Sequence, residues 1–110
     1  MTPEGRVKNA VKTKILIPNG IWFFMPVQAG YGRRELDFIC ALPNGRSFFI
    51  ETKAPGAGRL TEPQQFLILQ HRKAGRHVFI IDGEDGGRQA GGGLVTDSLE
   101  LLSQYVEGEG

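Results

Sequence analysis

Val7, Ala10, Val11 and Ile15 recur at the three- and four-residue spacing of a helix face. Thr2 suits the cap, Pro3 the first helical position, and Glu4 the positive end of the helix. The spacing predicts a first helix that stops at Pro18-Asn19-Gly20. Residues 21–28 are rich in β-formers and predict a strand, with Trp22 and Phe23 expected in the core. Residues 35–42 alternate: Leu36, Phe38, Cys40 and Leu42 share one face, and Glu35, Asp37, Ile39 and Ala41 the other. Residues 47–53 form a further strand, with Ser47, Phe49, Glu51 and Lys53 on one face. Residues 61–74 read as a helix, because Thr61 and Gln64 have capping-box spacing and Gly75 follows. Its Phe66-Leu67-Ile68-Leu69 run is apolar around more than one face, so part should meet the sheet and part another chain. A short buried strand at 77–82 and an amphipathic helix at 97–106, striped by Leu99, Leu102 and Val106, complete the pattern. Residues 83–93 (GEDGGRQAGGG) read as a flexible loop rather than a strand or helix. The order is α-β-β-β-α-β-α, an α/β pattern.

The Pro43-Asn44-Gly45 connection sets which side chains meet. A two-residue Asn-Gly loop pairs Phe38 with Glu51 and puts Asp37 on the opposite face. A three-residue loop, with Pro43 opening a type I turn and Gly45 at the left-handed bulge position, sets Asp37 opposite Glu51. Lys53 then lies two residues further along the same face. The tripeptide suits the second loop well, and the first remains open.

Composition narrows the class. The chain has 110 residues and one cysteine, Cys40, which excludes an internal disulfide framework and a cysteine-built zinc site. This length suits one domain spanning 1–110. The apolar runs are too short to span a membrane, and the first residues lack a signal-peptide layout, so an intracellular, cytoplasmic protein is expected. The net charge of +1 hides an asymmetry. Residues 1–82 hold five Lys, seven Arg and six Asp or Glu, and residues 83–110 hold one Arg against six Asp or Glu. A basic body suits a polyanionic partner, although charge alone is weak support for one.

Asp37 and Glu51-Thr52-Lys53 are the candidate chemistry. Two carboxylates on neighbouring strands can hold a hard divalent cation, and the Thr52 backbone carbonyl, between Glu51 and Lys53, is a further oxygen ligand. A bound metal lowers the pKa of a water and stabilises a pentavalent phosphate, and Lys53 adds positive charge beside it. Such strand residues are also common on solvated faces, where lysine pairs with a carboxylate. His71 and His77 lack zinc-ligand spacing, and the glycine-rich stretch is no phosphate-binding P-loop.

The series GRRELD at 32–37, the hairpin, FFIETKAPG, Leu60-Thr61 with glutamines, and Lys73-Ala74-Gly75 before HVFIID resembles the virus-type replication–repair nuclease (VRR-NUC) domain. That family belongs to the PD-(D/E)XK nuclease superfamily. The resemblance covers about residues 2–82 and implies a restriction-endonuclease-like fold, a mixed central β-sheet flanked by helices. It implies that Asp37 and Glu51 bind Mg2+ or Mn2+, that Lys53 is the catalytic lysine, and that Glu4 stands near the metal, directly or through water. It also implies a site glutamine early in the second helix. Gln64 fits best, and Gln65 is the substitute if the register is off by one. The family usually has Gly-x-Pro-Asp where this chain has Glu35-Leu36 before Asp37, so the proline is missing and Glu35 is an extra carboxylate.

The implied activity is metal-dependent endonucleolytic hydrolysis of DNA. Small stand-alone members are typical of phages and their bacterial relatives and resemble resolvases that act as homodimers on branched DNA such as Holliday junctions. Arg33, Arg34 and Arg59 flank the motifs as candidate phosphate contacts, and Tyr31 as a base-stacking residue. Lys8, Lys12 and Lys14 form either a phosphate-facing edge or the solvated side of the first helix. A nuclease-fold DNA-binding module without activity and a structural subunit with surface carboxylates are the rival classes.

Overall fold

The computed structural model describes residues 1–27, 35–56 and 59–109. Helix α1 (Pro3–Val11) starts as its sequence dictates: Thr2 is extended and its side chain accepts the Gly5 N–H. It runs directly into a π-helical turn, Lys12–Leu16, in which Ile17 N–H reaches the Lys12 carbonyl at 3.0 Å. The wider turn lets Ile15 and Leu16 both be buried below Val7 and Val11.

Four strands follow in the order β1-β2-β3-β4: Trp22–Phe24, Phe38–Ala41, Ser47–Thr52 and His77–Ile81. The β1–β2 and β2–β3 pairs are antiparallel, and β3–β4 is parallel through helix α2 (Glu62–Lys73). Phe38 pairs Ile50 and Ala41 pairs Ser47, the register of the three-residue hairpin loop. Gly45 has φ +88°, the left-handed bulge position that the loop requires. Thr61 and Gln64 make the complete reciprocal capping box expected of them.

The sheet is covered on both sides. Val7, Val11, Ile15, Leu16, Leu102 and Val106 pack with Phe38, Cys40, Phe48 and Ile50 on one face. Leu60, Ile68, Ala90 and Leu94 pack with Phe49, Val78 and Ile80 on the other. Helix α3 (Leu99–Glu109) therefore shares a layer with α1, and α2 lies opposite.

Several expectations are corrected. The first strand is only three residues long; Pro26, which has no N–H, follows it closely, and the expected end at Gln28 falls outside the described residues. Trp22 is not core: it is 60% exposed on the edge strand, and Phe23, its neighbour on the other face, packs inward. Leu36 does not share a face with Phe38. The chain bends at Asp37 before β2 begins, so Leu36 joins the α2-side core. The glycine-rich stretch contains structure: β5 (Gln89–Gly91) pairs with β6 (Leu94–Val95), with Ala90 and Leu94 buried. The last helix starts later than 97. Asp97 is extended beside Ile81 and its carboxylate accepts the Ile80 N–H, while Ser98 accepts the Leu101 N–H.

Candidate active site

The site lies where β3 and β4 end and β2 begins. Asp37 stands just outside β2 and keeps the hairpin register, so it meets Glu51 and Thr52. Its N–H donates to Glu51 Oε1 at 3.2 Å. The Thr52 N–H and hydroxyl both donate to Asp37 Oδ2, at 2.8 and 2.7 Å. Glu51 is 2% exposed and Thr52 is likewise buried. Lys53 follows, half-buried, with its N–H tied to the Ile81 carbonyl at 2.9 Å. The parallel β3–β4 pair thus sets Glu51 and Lys53 at its carboxyl end, the end at which open α/β sheets place their ligands.

The two carboxyls are electrostatically unequal. Burial pushes the Glu51 carboxyl up to about 9, and its hydrogen bond to Asp37 and the Asp37 charge push the same way. The Lys53 charge and the Asp37 N–H oppose this and are outweighed. Burial also acts against ionised Asp37, but there it loses. Hydrogen bonds from Glu51 and from both Thr52 donors, together with the Lys8 charge, hold Asp37 below the ordinary 3.8. Burial and the Asp37 charge therefore favour the protonated form of Glu51, while the hydrogen bonds favour the ionised form of Asp37.

This donor set fits a divalent cation. Glu51 is a buried acid whose ionised form lacks sufficient positive charge around it, which a cation supplies. Asp37 Oδ1 lies 3.6 Å from Lys8 Nζ, the Lys8 side chain being 34% exposed and that of Asp37 14% exposed. Among the described residues no three His, Cys, Asp or Glu side chains group together as metal ligands. The site therefore offers two carboxylates, and magnesium commonly takes one or two with waters and phosphate oxygens completing its shell.

The other candidates fall as follows. Glu4 is linked to Asp37 through Lys8, whose Nζ lies 3.7 Å from Glu4 Oε2. Gln64 completes the α2 cap, its Oε1 accepting the Thr61 N–H at 2.9 Å. Gln65 donates to the Leu60 carbonyl at 3.1 Å and lies against Gly91 and Gly92. Arg59 is exposed just before Leu60. Tyr31, Arg33 and Arg34 lie outside the described residues. Glu35 turns towards α2, where His71 Nε2 lies 3.0 Å from its Oε1 and the His71 ring stacks on Phe49 at 4.1 Å.

Two site features were not assigned from the sequence. The Thr52 hydroxyl fixes Asp37, and nothing in a lone threonine signals this. Lys8 bridges two acids, and its spacing from Glu4, four residues along one helix, was the available signal.

No protein-family model matches the chain. A protein named "Putative nuclease p44", from Acyrthosiphon pisum secondary endosymbiont phage 1, is 36% identical over 58 residues. That match covers 49% of this chain, and the chain spans 58% of the relative's length. A solved structure described as a VRR_NUC domain superposes with a TM-score of 0.68 at 22% identity, covering 97% of each chain. With its mixed four-stranded sheet between helical layers, the chain has the fold of the VRR_NUC domain.

Proposed function

We propose that this chain is a metal-dependent DNA endonuclease of the VRR-NUC type, with Mg2+ or Mn2+ as its cofactor. The observation that carries this reading is the buried Asp37–Glu51 pair, with Lys53 two residues on, at the carboxyl end of the parallel strands. The VRR_NUC fold and the phage relative named as a nuclease support it.

Asp37, Glu51 and the Thr52 backbone carbonyl are the proposed metal ligands, and Glu4 assists from α1. When bound, the cation activates a water and withdraws charge from the phosphate. The chain's own residues do the rest. Thr52 fixes the Asp37 carboxylate, so that the site is preorganised. Glu51 gives up its proton as the site loads. Lys53 orients the water and balances the charge that grows on the phosphate oxygens. As water oxygen bonds to phosphorus, the bond to one sugar oxygen breaks. The attacking water loses a proton to solvent and the leaving oxygen gains one. Gln64, which closes the cap of α2, is the proposed site glutamine, and Arg33, Arg34, Arg59 and Tyr31 are the proposed DNA contacts.

The substrate proposed is branched DNA, a four-way junction above all, cut by a homodimer. A domain of this size offers limited contact area, and a twofold pair sets two sites on opposing strands. The partly exposed α2 segment supports a subunit contact, since Ile68 is buried while Phe66 and Leu69 are 61% and 51% exposed. Labelled junction, flap, single-stranded and linear DNA, incubated with Mg2+, Mn2+ or EDTA, test the reading. Wild type is expected to cut only with metal, and Lys53→Ala to lose at least about 100-fold in rate while still binding. Binding without cutting under either metal sinks the catalytic assignment.

A further inference from the structure

The two oxygens of Asp37 meet different partners. Oδ2 takes two short hydrogen bonds from Thr52, and Oδ1 faces the Lys8 ammonium at 3.6 Å. A cation held by Asp37 would share that oxygen with Lys8, and two positive charges at such a distance repel. Lys8 has room to move, because its side chain is 34% exposed and rests on a long flexible stem. It also has a second partner on its own helix, Glu4, at 3.7 Å. Glu4 keeps the ammonium at the edge of the site after Asp37 is taken.

We propose that Lys8 is a resident counter-ion at Asp37 which a divalent cation displaces, and that the displaced ammonium then grips a DNA phosphate beside the site. Metal loading and DNA binding are thereby coupled through one side chain. Glu4 acts in this as a positioning residue for Lys8. The inference rests on the metal-dependent nuclease reading and adds a substrate contact to it.

Calorimetric titration with Mn2+ alone, without DNA, reads the first half. Lys8→Met keeps the stem and removes the charge, and should bind Mn2+ roughly two- to fivefold more tightly, the scale of a half-exposed ion pair. Lys8→Arg should restore the weaker wild-type affinity, and in an Asp37→Asn background Lys8→Met should make no difference. DNA binding reads the second half, measured on a labelled junction in a Lys53→Ala background with Mn2+ present. There Lys8→Met should lower the slope of log affinity against log salt by about one. Without metal the slope should change by less than half of that. Unchanged or weaker Mn2+ binding in Lys8→Met overturns the counter-ion role, and an unchanged salt slope overturns the phosphate contact. Wild-type protein that binds no Mn2+ instead overturns the underlying nuclease reading.

Discussion

Glu51 is the residue whose protonation ties stability to function. Its folded value lies near 9 against an ordinary 4.5, so the native state holds a proton that the unfolded chain releases. Stability from this group is complete below about 4.5 and is lost as pH rises towards 9. Asp37 acts in the opposite sense: its value is lowered, so its contribution is present above 3.8 and is lost as pH falls through the folded value. Without metal, Glu51→Gln should therefore melt several degrees higher than wild type at pH 8, with the gap closing at pH 5. A tenfold difference in proton affinity is worth about 1.4 kcal/mol, so a small part of the rise from 4.5 suffices. A melting curve in EDTA at both pH values checks this, and a variant less stable at pH 8 refutes it. The same proton should leave when metal binds. Titration of Mn2+ at pH 7.5 in buffers of different ionisation enthalpy should show close to one proton released by wild type, and far less by Glu51→Gln.

At the scale of elements, the turn after β4 carries a sharp steric test. Gly86 has φ +73°, and a Cβ there would come within 2.5 Å of the Asp97 and Ser98 backbone. That backbone is fixed, because Asp97 N–H donates to the Ile80 carbonyl at 2.6 Å and its carboxylate accepts the Ile80 N–H. Gly87 has φ +80° but open space around it. Gly87→Ala should cost about 1 kcal/mol, from backbone conformation alone, and Gly86→Ala at least about 2 kcal/mol. Urea unfolding of the two variants side by side measures the difference.

The same turn shows where local sequence signals stop. The main helices were legible from caps and spacing, and Pro-Asn-Gly favoured the register that sets Asp37 opposite Glu51 while leaving a two-residue loop open, because these are local signals. The β5–β6 pair was not, since Ala90 and Leu94 become core only against Leu60 and Ile68, far away along the chain. Trp22 misled for the converse reason. Its large apolar ring says core, but β1 is an edge strand and its outer face has no described layer burying that ring. Lys8 could be seen beside Glu4 on one helix, but its approach to Asp37 depends on how α1 packs on the sheet.

For the whole molecule, charge is divided unevenly along the chain. The basic residues concentrate in 1–82 and the acidic excess in 83–110. Subunit pairing should be visible in sedimentation as a dimer at micromolar concentration. Phe66→Asp, at an exposed position of α2, should shift that dimer to monomer without unfolding it and should abolish paired cuts in a junction. A wild-type monomer at the concentration that cuts junctions rules the pairing out. Among the described residues no helix is long and apolar enough to cross a membrane.

The two Thr52 bonds to a single Asp37 oxygen have a consequence for exchange. An aspartate tethered in this way would offer a cation one oxygen, and no third acidic or imidazole side chain among the described residues joins it and Glu51. Most of a bound cation's coordination sphere would then belong to solvent or substrate. Such a cation would be labile, and phosphate oxygens completing its shell would lengthen its stay. The protein would therefore hold its metal firmly only while it holds DNA.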